Sequence, residues 1–335
     1  MFTPTVGDLT QHYQISRQNS TLRQQLQSHV KELASGETSD LSKLLSGDMT
    51  AIAGIERGLD LNSAYADTIT TATAILQGQA DALAKARANV TEIGTDLLTG
   101  AEATDPFHRE SILHEAKVEF ESIVAALNTQ VAGKALFSGA EVQQPSLSSS
   151  TSILSQLGAA VSGLTTTSAV LAAADAWFDT PGGAFETLIY QGSLTSDLEF
   201  KIAEGQSVTL DVNAGNQDLR DLVKTFALAA LAADGLLDNP AAEQQLFMKT
   251  LGENLINQDR SLITVEARLG AKTEKLEEIE AANSAEKYAL LTARQDLIGV
   301  DSAETIMKLT QLETQLEAMY TMTARISRLS LTEFL

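Results

Sequence analysis

Residues 55–97 read IERGLDLNSAYADTITTATAILQGQADALAKARANVTEIGTDL. Alternating steps of four and three through them give Ile55, Leu59, Asn62, Ala66, Ile69, Thr73, Leu76, Ala80, Leu83, Arg87, Val90, Gly94 and Leu97. Large apolar residues alternate along this line with mostly small ones. A helix whose apolar positions recur every 3.5 residues winds with its partners as a left-handed coiled coil. The large residues then act as knobs and the small ones let backbones approach. At 1.5 Å per residue the stretch predicts a rod of roughly 60–65 Å, and with it an elongated, mainly α molecule.

The same rhythm returns on both sides. Toward the N-terminus, a segment from Val6 to Ala34 carries Ile15, Asn19, Leu22, Leu26, His29 and Leu33 at helical spacing and closes at Ser35-Gly36. It is rich in Gln and Ser, so it needs a packing partner to be a stable helix. A third helix is expected from Asp105-Pro106 to about Lys134, with the stripe Ile112, Ala116, Phe120, Ile123, Leu127 and Gln130. After Asn239-Pro240, Leu251, Leu255, Gln258, Leu262, Val265, Leu269, Lys272, Leu276 and Ile279 restore strict heptads. The last segment repeats them through Ile298, Ser302, Thr305, Leu309, Leu312, Leu316, Met319, Thr323, Ile326 and Ser330, and runs into Leu331-Thr332-Glu333-Phe334-Leu335. Its apolar end needs a surface to bury it.

Residues 140–239 have a different character. Serines crowd the stretch after Pro145, and Thr165-Thr166-Thr167-Ser168 follows. Leu198–Ile202 and Ser207–Val212 alternate around Ala203-Glu204-Gly205-Gln206, which predicts a hairpin with a four-residue turn. The expected organisation is therefore threefold. Residues 1–45 and 299–335 form terminal helices that pair as the assembly coiled coil. Residues 46–139 and 240–298 form a helical-bundle rod. Residues 140–239 form a small mixed α/β outer domain inserted in the middle.

Composition narrows the function. The 335 residues carry 23 Lys and Arg against 44 Asp and Glu, a net charge of −21. Such a surface repels nucleic-acid phosphates and anionic lipid headgroups. There is no cysteine, hence no disulfide or thiolate chemistry. Met1–Ser20 lacks the apolar core of a cleaved secretion signal, and no apolar run approaches the ~20 residues of a spanning helix. A soluble chain is expected, exported, if at all, without a cleaved signal.

Chemical motifs are sparse. His108 and His114 are six apart and do not share a helix face at metal-ligand spacing. Asp211-Val212-Asn213-Ala214-Gly215-Asn216 begins like a calcium loop but places Leu222 where the twelfth-position Glu belongs. A strand-to-helix turn capped by Asp218 is expected there instead. No phosphate loop, dinucleotide fingerprint or nucleophile elbow occurs. The expectation is a non-enzymatic structural subunit with no cofactor and no metal.

The two ends carry a family resemblance. Asp301-Ser302-Ala303-Glu304-Thr305-Ile306, Leu312 to Tyr320, and the closing Ala324-Arg325-Ile326-Ser327-Arg328-Leu329-Ser330-Leu331 resemble the C-terminus of the flagellar hook–filament junction family, hook-associated protein 3. Lys134-Ala135-Leu136-Phe137-Ser138-Gly139 looks like that family's exit from its third helix, and Leu33-Ala34-Ser35-Gly36-Glu37 sits where flagellin-like chains carry L-x-S-G. The resemblance covers roughly 1–139 and 240–335. The D-D-P stretch that usually follows the Ser-Gly is absent, and the ending is RLSLTEFL. Both departures favour a divergent junction protein over a filament flagellin, the main alternative. A secretion-apparatus protein would need membrane-inserting helices, and a coiled-coil signalling protein would stay inside the cell.

The resemblance implies a flagellin-like rod, exported unfolded through the flagellar type III channel to the outside of the cell. It implies assembly as a ring of like subunits between a neighbouring hook-associated protein and flagellin, with an export chaperone at the C-terminal segment. The expected assembly interface is Ile15, Leu22, Leu26 and Leu33 from the first helix, and Leu309, Leu312, Leu316, Met319, Ile326, Leu329 and Leu331 from the last. No nucleic acid or membrane is a partner in this reading.

Overall fold

The computed structural model describes residues 6–332, with side chains described at residue 10 and over 13–325. In chain order the elements are α1 (Val6–Ser35), α2 (Leu41–Leu44), α3 (Thr50–Arg87), α4 (Val90–Glu102), α5 (Pro106–Leu127), β1 (Gln130–Val131), β2 (Lys134–Ala135), α6 (Ser150–Val161) and α7 (Thr167–Asp179). A single π-helical turn, Phe185–Ile189, then leads to β3 (Leu198–Ala203), β4 (Gln206–Leu210), α8 (Gln217–Ala233), α9 (Ala241–Ile298) and α10 (Ser302–Thr332). The fold is mainly α, with two small two-stranded antiparallel sheets, β1–β2 and β3–β4.

The chain divides into two compact units. One comprises residues 1–63 and 284–335, the other 64–283. The helices α3 and α9 pass from one to the other.

The larger unit holds the main core. Ile69, Leu76, Leu83, Val90, Gly94 and Leu97 from the opening heptads are all buried there, as are Leu251, Leu255, Leu262, Val265, Leu269 and Leu276. Two heptad positions occupied by polar residues are paired. The Arg87 guanidinium donates to Asp259 at 2.7 Å and to Glu266 at 2.9 Å, and Gln258 donates to the Asp221 carbonyl and the Thr225 hydroxyl. Such pairs fix the register of a seam that leucines alone leave loose.

Three expectations are corrected here. The stretch 55–97 is not one helix: α3 ends at Arg87, Ala88 and Asn89 form a turn, and α4 starts at Val90. At the break, Asn89 (φ −106°, ψ 0°) donates its side-chain amide to Glu119 on α5 at 3.0 Å. A tertiary hydrogen bond has overridden an unbroken heptad phase. The third helix stops at Leu127 rather than near Lys134. Asn128 turns its side chain onto the backbone of Leu147, accepting from its N–H at 2.8 Å and donating to its carbonyl at 3.0 Å. The chain then makes the β1–β2 hairpin around Ala132 and Gly133, both at positive φ. Finally, Asn216, not Asp218, holds the N-cap position of α8; its side chain accepts from the Asn213 N–H and donates to the Asp211 carbonyl rather than bonding the helix, and Asp218 pairs with Arg268 at 3.2 Å.

The expected hairpin forms with a tighter turn. Strand β3 runs on through Ala203 and β4 starts at Gln206, leaving Glu204-Gly205 at the tip with Gly205 at φ +69°.

Residues 140–239 lie within the larger unit and share its core. The reason is α8. Leu219, Leu222, Val223 and Phe226 are buried along one face of its first half, whose other side carries Asp218, Asp221 and Lys224. From Thr225 to Ala232 every residue is buried; a stretch that is apolar all round sits inside, and α5 and α6 pack against the helix. Among the described residues no helix is long and apolar enough to cross a membrane.

Candidate assembly surface

The helices α1 and α10 belong to the smaller unit and pack on each other. They run antiparallel: Gly36 lies beside Val300, while Leu22 meets Leu312 and Leu316 farther along. Leu22, Leu312 and Leu316 are buried in this seam, with Leu26 and Met319 partly buried against them. Ile15 and Leu309 are half-buried. The guanidinium of Arg23 donates to the Tyr320 hydroxyl at 2.7 Å and lies 5.8 Å from its ring centre, which ties the seam's flank. Each buried leucine contributes about 1.5–3 kcal/mol, and three of them serve helices of 30 and 31 residues. The pair is thinly held.

Leu33 departs from the expected stripe. It is 36% exposed, and the neighbouring Glu32 is turned inward at 8%. The carboxylate of Glu32 accepts from the Ser39 N–H at 3.0 Å and the Ser39 hydroxyl at 2.7 Å, and its other oxygen meets His29 Nδ1 at 2.6 Å. Near the chain reversal, hydrogen bonding rather than apolar packing decides which face turns in. Side chains of Ile326, Leu329 and Leu331 lie outside the described residues.

Burial raises the pKa of Glu32, but hydrogen bonds from Ser39 and His29 outweigh it and hold the carboxyl below its ordinary value. A carboxylate with a depressed folded value stabilises fully above its unfolded value. That contribution is lost as the pH falls through the folded value. Replacing Glu32 by Gln is therefore expected to destabilise the terminal pair by about 1.5–3 kcal/mol at neutral pH, the worth of a hydrogen bond to a charged group. The difference should vanish in acid below the carboxylate range. Urea titrations followed by amide exchange in α1 and α10 across that pH range measure both limbs.

Both helices leave large apolar side chains uncovered. Tyr13 and Val30 on α1 are 73% and 49% exposed, and Ile306, Met307 and Met322 on α10 are 50%, 65% and 66% exposed. Most of the exposed large apolar residues of the described chain lie in this smaller unit. Among the described residues no three His, Cys, Asp or Glu side chains gather at metal-binding distance, and His108 and His114 are both exposed on α5.

Several contacts here have no sequence signal. The Arg23–Tyr320 bond joins residues far apart in the chain, as does the pairing of the Arg294 guanidinium with both carboxylate oxygens of Glu37. Exposed charged side chains at loop and helix positions look alike before the fold brings them together.

The arrangement defines a class: a mainly α chain whose first and last long helices pair in antiparallel in one unit, and whose other unit is a helical body. No family model matches the sequence, and no curated protein does. Solved structures do match. A Vibrio parahaemolyticus protein assigned as flagellar hook-associated superposes with a TM-score of 0.53 at 16% identity, over 75% of this chain and 99% of that one. Bacillus cereus FlgL superposes with a TM-score of 0.43, also at 16% identity, over 71% of this chain and 94% of that one. The first of these shows that the chain has the fold of that flagellar protein.

Proposed function

We propose that this chain is a structural, non-enzymatic subunit of the bacterial flagellum that joins the hook to the filament. The observation that carries the reading is the terminal pair. Its seam is thin, yet both helices keep large apolar residues facing outward. Apolar area of that kind is stable in water when a neighbour covers it. The fold likeness to the Vibrio hook-associated protein supports the flagellar setting. The resemblance of 301–331 to the junction family's C-terminus supports the place within it.

In this reading residues 1–45 and 299–335 are the assembly element, 46–139 with 240–298 the rod, and 140–239 the outward part. Ile15, Leu22, Leu26 and Leu33 work with Leu309, Leu312, Leu316, Met319, Ile326, Leu329 and Leu331, some closing the subunit and others meeting neighbours. The subunit forms a ring of its own kind between a hook-side protein and flagellin. It reaches the cell exterior unfolded through the flagellar export channel, its C-terminal segment guarded by a chaperone. It needs no cofactor.

Deletion of the gene tests this. Electron microscopy is expected to show hooks without filaments, and blotting to show flagellin monomers in the medium. Normal filaments on the deletion strain would refute the junction role. Long filaments polymerised from this chain alone would make it a flagellin instead.

A further inference from the structure

The stretch where α1 ends meets the stretch where α9 gives way to α10, and the two form a closed polar network. Glu37 and Gly299 make an isolated antiparallel β-bridge. The Thr38 N–H donates to the Ile298 carbonyl at 2.9 Å, and the Val300 N–H to the Gly36 carbonyl at 3.0 Å. The Arg294 guanidinium grips Glu37 through both carboxylate oxygens, Nη2 to Oε2 at 3.0 Å, with both side chains about a quarter to a third exposed. On the α1 side, Gly36 turns the chain at φ +74°, a conformation that suits glycine. On the α10 side, Asp301 accepts from the N–H groups of Ala303 and Glu304 and so caps the helix as it leaves.

We propose that this network is a register lock: the Glu37–Arg294 clasp and its β-bridge, more than the leucine seam, fix which residues of α1 face which residues of α10. The seam is a poor judge of register. On α10, Leu309, Leu312, Leu316 and Met319 form an unbroken ladder. A leucine of α1 slipped by one turn finds another rung. The cost of such a slip is about one leucine contact and the exposed Arg23–Tyr320 bond, since Asn19 and His29 separate the apolar residues of α1. The clasp has no such degeneracy. A planar guanidinium held by two parallel bonds accepts one geometry, and a β-bridge of two backbone bonds accepts one alignment. Leu22 and Leu316 lie at nearly equal chain distances from the clasp, so a pair set at 36–38 and 298–300 delivers them to each other. The lock therefore acts within one subunit, independently of the junction role.

The test uses the full chain, whose lack of cysteine makes introduced labels unique. Nitroxides are placed at the exposed positions Gln24→Cys and Glu317→Cys. In this background Glu37→Arg, Arg294→Glu and the double exchange are compared by pulsed dipolar spectroscopy. The parent is expected to give one narrow distance. Each single reversal should add a second distance population, produced by a slide of about one helical turn, roughly 5 Å along the axis, and the double exchange should return the parent's distance. Amide exchange in α1 and α10 should rise at least tenfold in the singles while α5 and α8 keep theirs. The proposal is overturned by singles with the parent's distance distribution, by a double exchange no better than the singles, or by equal loosening of α5 and α8. Arg294→Lys keeps the charge without the fork and should lie between parent and reversal. A parent-like distribution for both Arg294→Lys and Arg294→Glu would again overturn the proposal.

Discussion

Gly252→Val is expected to destabilise the larger unit by about 3 kcal/mol or more, while Gly270→Ala on the same helix stabilises it by about 0.5–1 kcal/mol. The two differ in what a Cβ would meet. At Gly252 it would lie 2.7 Å from the Gly94 carbonyl oxygen and 2.9 Å from Leu98 Cγ, so α4 and α9 would have to separate. A backbone oxygen cannot rotate away as the end of a long side chain can. The separation would strip contacts from Leu255 and Ile256, which lie against Gly94 on the other side of the crossing. At Gly270 nothing lies within 4 Å. There, alanine removes chain freedom from the unfolded state and adds helix propensity without a clash. Urea midpoints of the two variants should move in opposite directions. A Gly252→Val chain as stable as the parent would mean that the α4–α9 crossing is not close-packed.

That crossing also shows what the heptads made readable. Gly94 stood in the sequence as a small residue on an otherwise apolar line, and it lies where two backbones approach. The line itself became the core, from Ile69 to Leu97 and from Leu251 to Leu276. What periodicity did not carry was where helices stop. Ala84-Lys85-Ala86-Arg87-Ala88-Asn89 contains no Gly or Pro, and α3 ends there because Asn89 finds Glu119, thirty residues on. Likewise α5 ends where Asn128 finds Leu147. A local code of breakers cannot register a partner that arrives by folding. The middle segment was opaque for a related reason. Phe226–Ala233 reads as a short apolar run, and only the packing of α5 and α6 beside it makes it the centre of a unit.

The candidate surface was legible to the same depth. Leu22, Leu312 and Leu316 were on the stripe and are in the seam. Leu33 was on the stripe and is out of it, because the carboxylate of Glu32 has a cluster of donors to satisfy and the helix cannot turn both residues inward. A 3.5-residue pattern assigns faces by apolarity. It gives no weight to a charged side chain whose hydrogen bonds require burial. The clasp of Glu37 and Arg294 lies deeper still. Its two members come from a turn and a helix near opposite ends of the sequence, and nothing in the local pattern of either points to the other.

The seam and the uncovered faces can be separated by one pair of variants, Leu22→Asp and Leu33→Asp. Leu22→Asp places a carboxylate among Leu312, Leu316, Leu26 and Met319. Residues 309–324, which face it, contain no Lys or Arg and carry Glu313 and Glu317, so the buried charge has no counter-ion within that stretch. Arg23 is the next residue along α1, and adjacent positions on a helix point apart. Loss of the leucine and burial of an unpaired charge together are expected to cost roughly 3–5 kcal/mol. A seam resting on three leucines should open, raising amide exchange in α1 and α10 at least a hundredfold while the larger unit is unchanged. Leu33→Asp puts the same charge on a side chain already open to solvent in the single subunit. It should leave exchange in both helices within about twofold of the parent, since surface substitutions rarely shift stability by more than ±0.5 kcal/mol. Under the proposed function both variants should be exported and both should fail to seat filaments on hooks, the first by losing the helix pair and the second by losing a neighbour's contact. Motility intact in Leu33→Asp would confine the interface to the buried seam. Intact motility in both would remove the terminal helices from the assembly altogether.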